Sequence, residues 1–520
     1  MKNYFIFIVA GLLASNIEAK VIKVTSASTD ETNKGSFLYC LKHANDGDEI
    51  FFDLSEDTIR IANQCTFSAE KQLVINGKNV KTNKNIVFAP TNDYAKRGFE
   101  IPTEYPGGVM TAADITFRNC TFAKFKMTAV RNNGKLTLEE CLFVQNGVGG
   151  ITNGSALFVN TPCVIRNCVF DSNESIGESR GGAAIYAAKV GSRLDITNSS
   201  FINNYTSNQG AAMWLADSTV VKLTNCTFAN NRAIKAENEE KYQDAGKGGA
   251  IISTITKVST PAKYAPLIYA VNCTFTGNEA NNGAGAIHLY PLKGTEKASV
   301  WLINTLLLYN YNKNEHSDIV EETDINDVRF YALNSIWGKG GRCDDRKEEG
   351  CLIYDYATQL PVFQQMESTE TNDRPHISNN HLPVVSLAEG SIVIGKAATT
   401  IPGNFIFTED KLEIPSMDQL GHLRSTHPAI GAVEYSSATG VTKTFFNDII
   451  MYKKDRKLMV SCPEGNFNLR IYTLSGQLCM NTNYSGTTTV CINLESYPKG
   501  LYTCELTQQA NRKTTKFLLN

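Results

Sequence analysis

Thiols, imidazoles and paired carboxylates are the side chains in this chain that could carry chemistry, and its 14 cysteines are the most patterned of them. Cys120, Cys141, Cys168, Cys226 and Cys273 each stand two residues before a phenylalanine, as in "NCTF" at 119–122, 225–228 and 272–275. Thiolate metal centres draw their ligands from close pairs such as CxxC, and the sequence contains none. In three further copies of the pattern Ser199, Thr305 and Ser335 replace the cysteine. The place therefore asks for a small buried side chain rather than a thiolate, and an unpaired cysteine meets that need. Disulfides are better sought between Cys343 and Cys351, and among Cys462, Cys479, Cys491 and Cys504, where four thiols allow three connectivities.

The acid–base residues are sparser. Glycoside hydrolysis needs two carboxylates facing each other across one surface, and a polysaccharide lyase needs a basic side chain beside calcium-binding carboxylates. The acidic pairs are Asp344 with Asp345 and Glu321 with Glu322. They read as loop residues and do not recur at matching places in successive copies. His422, in "LGHLR", is the nearest approach to a Gly-His-Gly and does not form one. His288, in "GAGAIHLY", reads as an outward-facing strand residue rather than a base. The reading assigns no catalytic residue, no metal site and no cofactor.

What would position any such residues is a repeat. Aligned copies begin at 115, 136, 163, 194, 221, 268, 300 and 330, and their fifth column reads Asn119, Glu140, Asn167, Asn198, Asn225, Asn272, Asn304 and Asn334. Three residues further on stand Phe122, Phe143, Phe170, Phe201, Phe228 and Phe275, then Leu307 and Trp337. The spacing between copies runs from 21 residues (Asn119 to Glu140) to 47 (Asn225 to Asn272), as in a solenoid whose loops vary while its wall does not. In "VKLTNCTF" the apolar positions Val221 and Leu223 alternate with polar ones, then resume at Cys226 and Phe228, one residue out of step. Such a slip moves side chains to the opposite face unless the chain turns. The Asn column therefore marks a corner, since Asn readily takes a left-handed conformation. Stacked about 4.8 Å apart, these amides should form a ladder, and the phenylalanines an inward stack. Between copies, "NGSALFV", "RGGAAIY", "QGAAMWL", "KGGAIIS" and "GAGAIHL" read as a tight bend followed by a second short strand. One coil is thus strand, corner, strand, loop, bend, strand, which is a parallel β-helix, and parallel crossovers are right-handed.

The GGA-like bends together with FxxN, intact from Phe143 to Asn146, Phe170 to Asn173, Phe201 to Asn204, Phe228 to Asn231 and Phe275 to Asn278, resemble polymorphic outer membrane protein repeats and the related pectate-lyase-like β-helices. "GSFLYCLKHANDGDEIFFDLSEDTIRI" at 35–61 resembles the entry segment of such proteins, in which a short amphipathic helix caps the open core. "GSIVIGKAA" and "DQLGHLRSTHPAIGAVEY", with Asp418, Gly421, Arg424 and 430–435, resemble the closing segment of bacterial surface β-helices. At the other end of the chain "LRIYTLSGQL", "INLESYPKGLYTCEL" and "RKTTKFLLN" resemble the type A C-terminal sorting domain of the type IX secretion system of Bacteroidetes. That resemblance implies passage through the outer membrane by the type IX machinery, and removal of the domain on release or surface attachment.

The chain opens "MKNYFIFIVAGLLASNIEAK", which has the order of a signal peptide cleaved between Ala19 and Lys20, and no other stretch is apolar enough to span a membrane. With 50 basic against 52 acidic side chains no field of either sign favours nucleic acid. The expected protein is all-β: a signal peptide at 1–19, an N-terminal cap and first coils at 20–112, right-handed parallel β-helix repeats at 113–340, a closing β-helix segment at 341–435, a linker at 436–444, and a small antiparallel β-sandwich at 445–520. It is expected to be an exported monomer without a transmembrane span in the mature chain, at the cell surface or outside the cell. Its expected role is that of a non-enzymatic adhesin or scaffold for a glycan or host surface ligand, bound through the loops 232–247 and 311–328. The alternative is a polysaccharide lyase or glycoside hydrolase with an unfamiliar site.

Overall fold

The computed structural model describes residues 20–519 except 92–96, 106–108, 149–155, 177–180, 236–243, 256–264, 291–296, 322–327, 341–344, 369–372, 406–410, 436–449, 462–465, 474–476, 486–488 and several single or paired positions. The signal-peptide reading falls on 1–19, outside the described residues. The chain divides into two compact units, 1–436 and 437–520.

In the first unit three long sheets run the length of a solenoid, with twelve, eleven and nine strands among the described residues, and a fourth made of very short strands fills one corner. Coil-to-coil pairing in the three long sheets is parallel among the described residues and keeps one register through the repeats, where Val221 meets Leu194 and Ile268, and Phe228 meets Phe201 and Phe275; near the entry end the register shifts between Phe51 and Phe52. One coil passes through the twelve-stranded sheet, such as Val220–Thr224, then the eleven-stranded, Thr227–Ala229, then the nine-stranded, Ile251–Thr254. The slip in alternation falls between the first two. All eight residues of the corner column have left-handed backbone, with φ from 43° at Asn334 to 55° at Asn119. The phenylalanines from Phe122 to Phe275 are fully buried and stack with centroids 4.5–4.8 Å apart, close to the strand spacing. The bend glycines are required where the backbone turns left-handed. At Gly182, Gly210 and Gly248 a Cβ would lie 2.5, 2.2 and 2.4 Å from the carbonyl oxygens of Ile185, Met213 and Ile251.

At the entry end the helix Phe37–His43, N-capped by Ser36, places the buried Phe37 against Phe52, Phe88 and Phe99, so that the first open coil does not expose its core. At the other end the coils stop with strands Asp345–Glu349 and Leu352–Ile353. Asp345 and Glu321 are strand residues, not loop residues as their neighbours in sequence suggest: Asp345 pairs with Arg329, and Glu321 with Leu289. The segment that follows adds no further coil. Residues 383–403 and 411–435 run back along the outside as a strap, and Val384, Val385, Leu387, Val393, Ile430 and Val433 bury themselves against Ile202, Ala229, Leu306, Leu308 and Ile336 on the outer face of the eleven-stranded sheet. Phe405 covers the outward aromatic residues Tyr269, Trp301 and Tyr331 of the twelve-stranded sheet.

The second unit contains an antiparallel sheet of Ile450–Lys454, Lys457–Ser461 and Thr489–Asn493 and another of Phe467–Thr473, Leu478–Tyr484, Gly500–Gln508 and Asn511–Leu519. Leu458, Val460 and Ile492 of the first share one core with Leu469, Ile471, Cys504 and Leu506 of the second, as in a β-sandwich. Among the described cysteines Cys351, Cys479, Cys491 and Cys504 are free thiols, so no disulfide joins Cys479, Cys491 and Cys504 to one another. Cys343 and Cys462 lie outside the described residues.

Candidate functional site

Most polar side chains inside the wall are committed to holding it together. The corner amides of Asn304, Asn272 and Asn225 each donate Nδ2 to the Oδ1 of the coil before, reaching Asn198, over 3.0–3.3 Å. Asn119 reaches Asn76 at 3.4 Å. The strap takes the remaining valences: Asn225 donates to Met417 O and accepts from Arg424, Asn304 exchanges two bonds with the backbone of Ala398, and Asn334 donates to Lys396 O.

A second asparagine column lies deeper. The Asn of FxxN is wholly buried at Asn146, Asn173, Asn204, Asn231 and Asn278, and Asn310 continues it. Each Nδ2 donates to the phenylalanine carbonyl of the preceding coil and to the Oδ1 of the next Asn at 2.8–2.9 Å, and that Oδ1 also accepts the backbone N–H. The column ends on the buried carboxylate of Asp318, which accepts from Asn310 N and Nδ2, Gly338 N and the Tyr356 hydroxyl. The sequence pattern shows FxxN plainly. It does not show that this Asn is a ladder, because the φ > 0 residue is the one before it, Gln145, Ser172, Asn203 or Asn230.

The cysteine column is polar as well as small. The Cys141 N–H donates to Cys168 Sγ, Cys168 N–H to Ser199 Oγ, and Cys273 N–H to Thr305 Oγ1. This explains why Ser and Thr alternate with Cys there. Burial pushes the thiols of Cys120, Cys168 and Cys273 well above their ordinary range, so the nucleophilic thiolate is suppressed.

The acids named from sequence are similarly engaged. Burial opposes ionisation of Asp345, but hydrogen bonds from Lys297, Tyr331 and Arg329 outweigh it and hold the carboxyl at about 2. Asp418 accepts the N–H groups of Leu420, His422 and Glu434 and faces the His422 ring at 3.3 Å. Arg424, itself buried, donates to Ala429 O, Gly431 O and Ala432 O. These residues close the strap upon itself.

One cluster of ionisable and aromatic side chains lies where the loops are. On the outer face of the nine-stranded sheet Arg131 sits over Phe158 at 4.9 Å, and Phe158, Tyr186 and Trp214 stack at 4.9 and 4.6 Å. Ile252 and His288 continue that column in register. Trp214 Nε1 donates to Gln209 Oε1, and Gln209 Nε2 to Asp244 O. Asp244 Oδ1 is 3.2 Å from Lys247 Nζ and accepts from the Tyr290 hydroxyl, while Lys247 lies 4.2 Å over the Tyr290 ring. His288 points outward as a strand residue, yet it is covered: only 1% is exposed, and Nδ1 accepts from Ala284 N–H. Burial, with the charge of Lys247, lowers its pKa to about 3, which makes it a poor base at neutral pH. Asp244 and Lys247 close the long insert, whose residues 236–243 lie outside the described residues. Ile319–Glu321, from the second variable segment, pairs with Ile287–Tyr290, whose other neighbour is Ile251–Thr254, the strand that follows the long insert. Among the described residues no group of His, Cys, Asp and Glu is placed to hold a metal ion, and no helix is long and apolar enough to cross a membrane.

Residues 454–520 match the family model of the secretion system C-terminal sorting domain, and residues 225–254 match the repeat of the Chlamydia polymorphic membrane protein. The second match is one coil, from corner Asn225 to the end of strand Ile251–Thr254. No curated protein matches the chain. Among solved structures, a DUF3244-family protein with an immunoglobulin-like β-sandwich fold from Bacteroides vulgatus is 16% identical over 14% of this chain and 84% of that one, with a TM-score of 0.14, a likeness that carries no argument.

Proposed function

Starting from a chain that its type IX C-terminal sorting domain directs to the cell surface or the extracellular space, we propose that the mature protein is a non-enzymatic solenoid that holds a glycan or host-surface ligand at the loop-bearing end of its nine-stranded sheet. The observation that carries this reading is that the inserts 232–247 and 311–328 lead to the two strands that flank Ile287–Tyr290, beside Trp214, Asp244, Lys247 and Tyr290. Loops set on a rigid scaffold are where specificity is ordinarily placed. The commitment of Asp318, Asp345 and Asp418 to bonds within the wall and strap supports a binding role over acid–base chemistry.

The experiment uses the chain from residue 20 to residue 520 on a panel of polysaccharides and a glycan array. Retention of a defined glycan that is lost when 236–243 is shortened, with no new reducing ends and no unsaturated product, is the expected result. Turnover of any polysaccharide in the panel would replace this reading with the lyase or hydrolase alternative.

A further inference from the structure

Among the described residues the outer face of the eleven-stranded sheet is covered along only part of its length. In one outward column, aligned by strand register, stand Val87, Thr121, Leu142, Val169, Ser200, Thr227, Thr274, Leu306 and Ile336. From Ser200 onward these side chains are buried beneath the strap and Val169 is buried too, while Val87, Thr121 and Leu142 are half-buried. In the neighbouring outward column Ala123, Val144 and Asp171 precede Ile202, which the strap covers. The strap holds its part of this face in three ways. Its backbone bonds wall hydroxyls: Ser200 Oγ donates to Pro383 O, and Ala432 N–H to Thr274 Oγ1. It also bonds the corner amides of Asn225, Asn304 and Asn334, and its Val, Leu and Ile side chains lie on the apolar wall.

The less covered coils repeat these features in part, with the Thr121 hydroxyl, the half-buried corner amides of Asn119 and Asn167 on either side of the exposed Glu140, and the stripe of side chains Val87, Leu142 and Val144 beside Asp171. We infer that this uncovered stretch is a docking face for an extended peptide segment of another protein, laid lengthwise across the coils in continuation of the strap, with apolar side chains at every second position. Continuity with the strap's own interface argues for a peptide, since an extended peptide already occupies the next coils of the same columns. The stripe carries no aromatic ring on which a sugar face could stack, which argues against a glycan here. From Val87 to Leu142 is two coil steps, about 10 Å at 4.8 Å each, a span covered by about three extended residues. This face is on a different sheet from the loop-bearing edge, so the two readings stand or fall separately.

The test pans a displayed library of ten-residue peptides against the mature chain, with a fluorescein-labelled peptide of the strap sequence PAIGAVEY as a fixed probe for anisotropy. The expected result is enrichment of peptides with alternating apolar residues, whose binding falls about tenfold on Leu142→Lys. Thr121→Lys should weaken it as well, with the melting temperature of both variants unchanged. The inference is overturned if no enriched peptide depends on these two positions. It is equally overturned if Leu142→Lys instead abolishes a concentration-dependent self-association, since the face then pairs two copies, or if it abolishes a glycan-array signal.

Discussion

Two asparagine columns run the length of one solenoid and are built on different terms. The corner column is left-handed at every residue, its amides point back towards the entry end, and its outer valences are open to whatever lies alongside. The inner column is sealed, its amides point the other way, and every donor is used, with the chain of aligned dipoles finishing on the Asp318 carboxylate. The same residue thus serves as a backbone device in one place and as a buried hydrogen-bond network in the other. A corner amide outside the strap, such as Asn119 or Asn167, can lose a partner to water; an inner amide cannot.

The largest effect is expected at the inner column. Asn231→Ala removes the acceptor for Asn204 N–H and Nδ2 and the donor for Phe201 O and Asn278 Oδ1, and should cost about 3–5 kcal/mol in a denaturant melt. Asn225→Ala loses a partly shared set of bonds and places Ala at a φ of 51°, for about 1–3 kcal/mol. Glycine sharpens the contrast: Asn225→Gly should recover the backbone part of that loss, while Asn231→Gly should recover nothing, because the left-handed residue there is Asn230. Equal recovery at both positions would dissolve the distinction between the columns. Cys168→Ser, which keeps an acceptor for Cys141 N–H, should be nearly neutral, and Cys168→Val should cost about 1–2 kcal/mol more than Ser in the same melt.

The smallest effect concerns the strap. The Asp418 carboxylate raises the pKa of His422 above its ordinary 6.5. The stability this pair contributes is therefore complete below pH 6.5 and lost as pH rises through the folded-state value. For Asp418 burial opposes ionisation, but the His422 ring and the N–H groups of Glu434 and His422 outweigh it and hold it below 3.8, so its contribution is present above pH 3.8 and fades below. Glu434 and Arg424 flank the pair, the former raised by burial. Because half of the His422 side chain is exposed, the melting temperature should drift down only slightly between pH 6 and 8, and His422→Gln should flatten the drift.

Much of this was legible in the sequence. The slip in alternation at "TNCTF" located a corner, and the eight left-handed residues stand there because only a local turn reconciles the two strand parities. The phenylalanine spacing placed the rings on one inward column. The inner ladder was not legible, because a fully buried Asn beside a half-buried one, as in "FANN", carries no mark of which faces inward. Nor was the burial of His288, which depends on residues 244–247 arriving over it from a different coil.

The amino-acid sequence by itself determined the period of the wall, its corners and its inward columns, because each is a local pattern repeated at the strand spacing. Tertiary structure alone decided which coils are covered and which are bare. Thr227 meets Gln419 across 192 residues, and Asn225 meets Arg424 across 199. Contacts at such separation follow from the shape of the finished stack and the path of the strap back along it, and no local pattern encodes where that path ends.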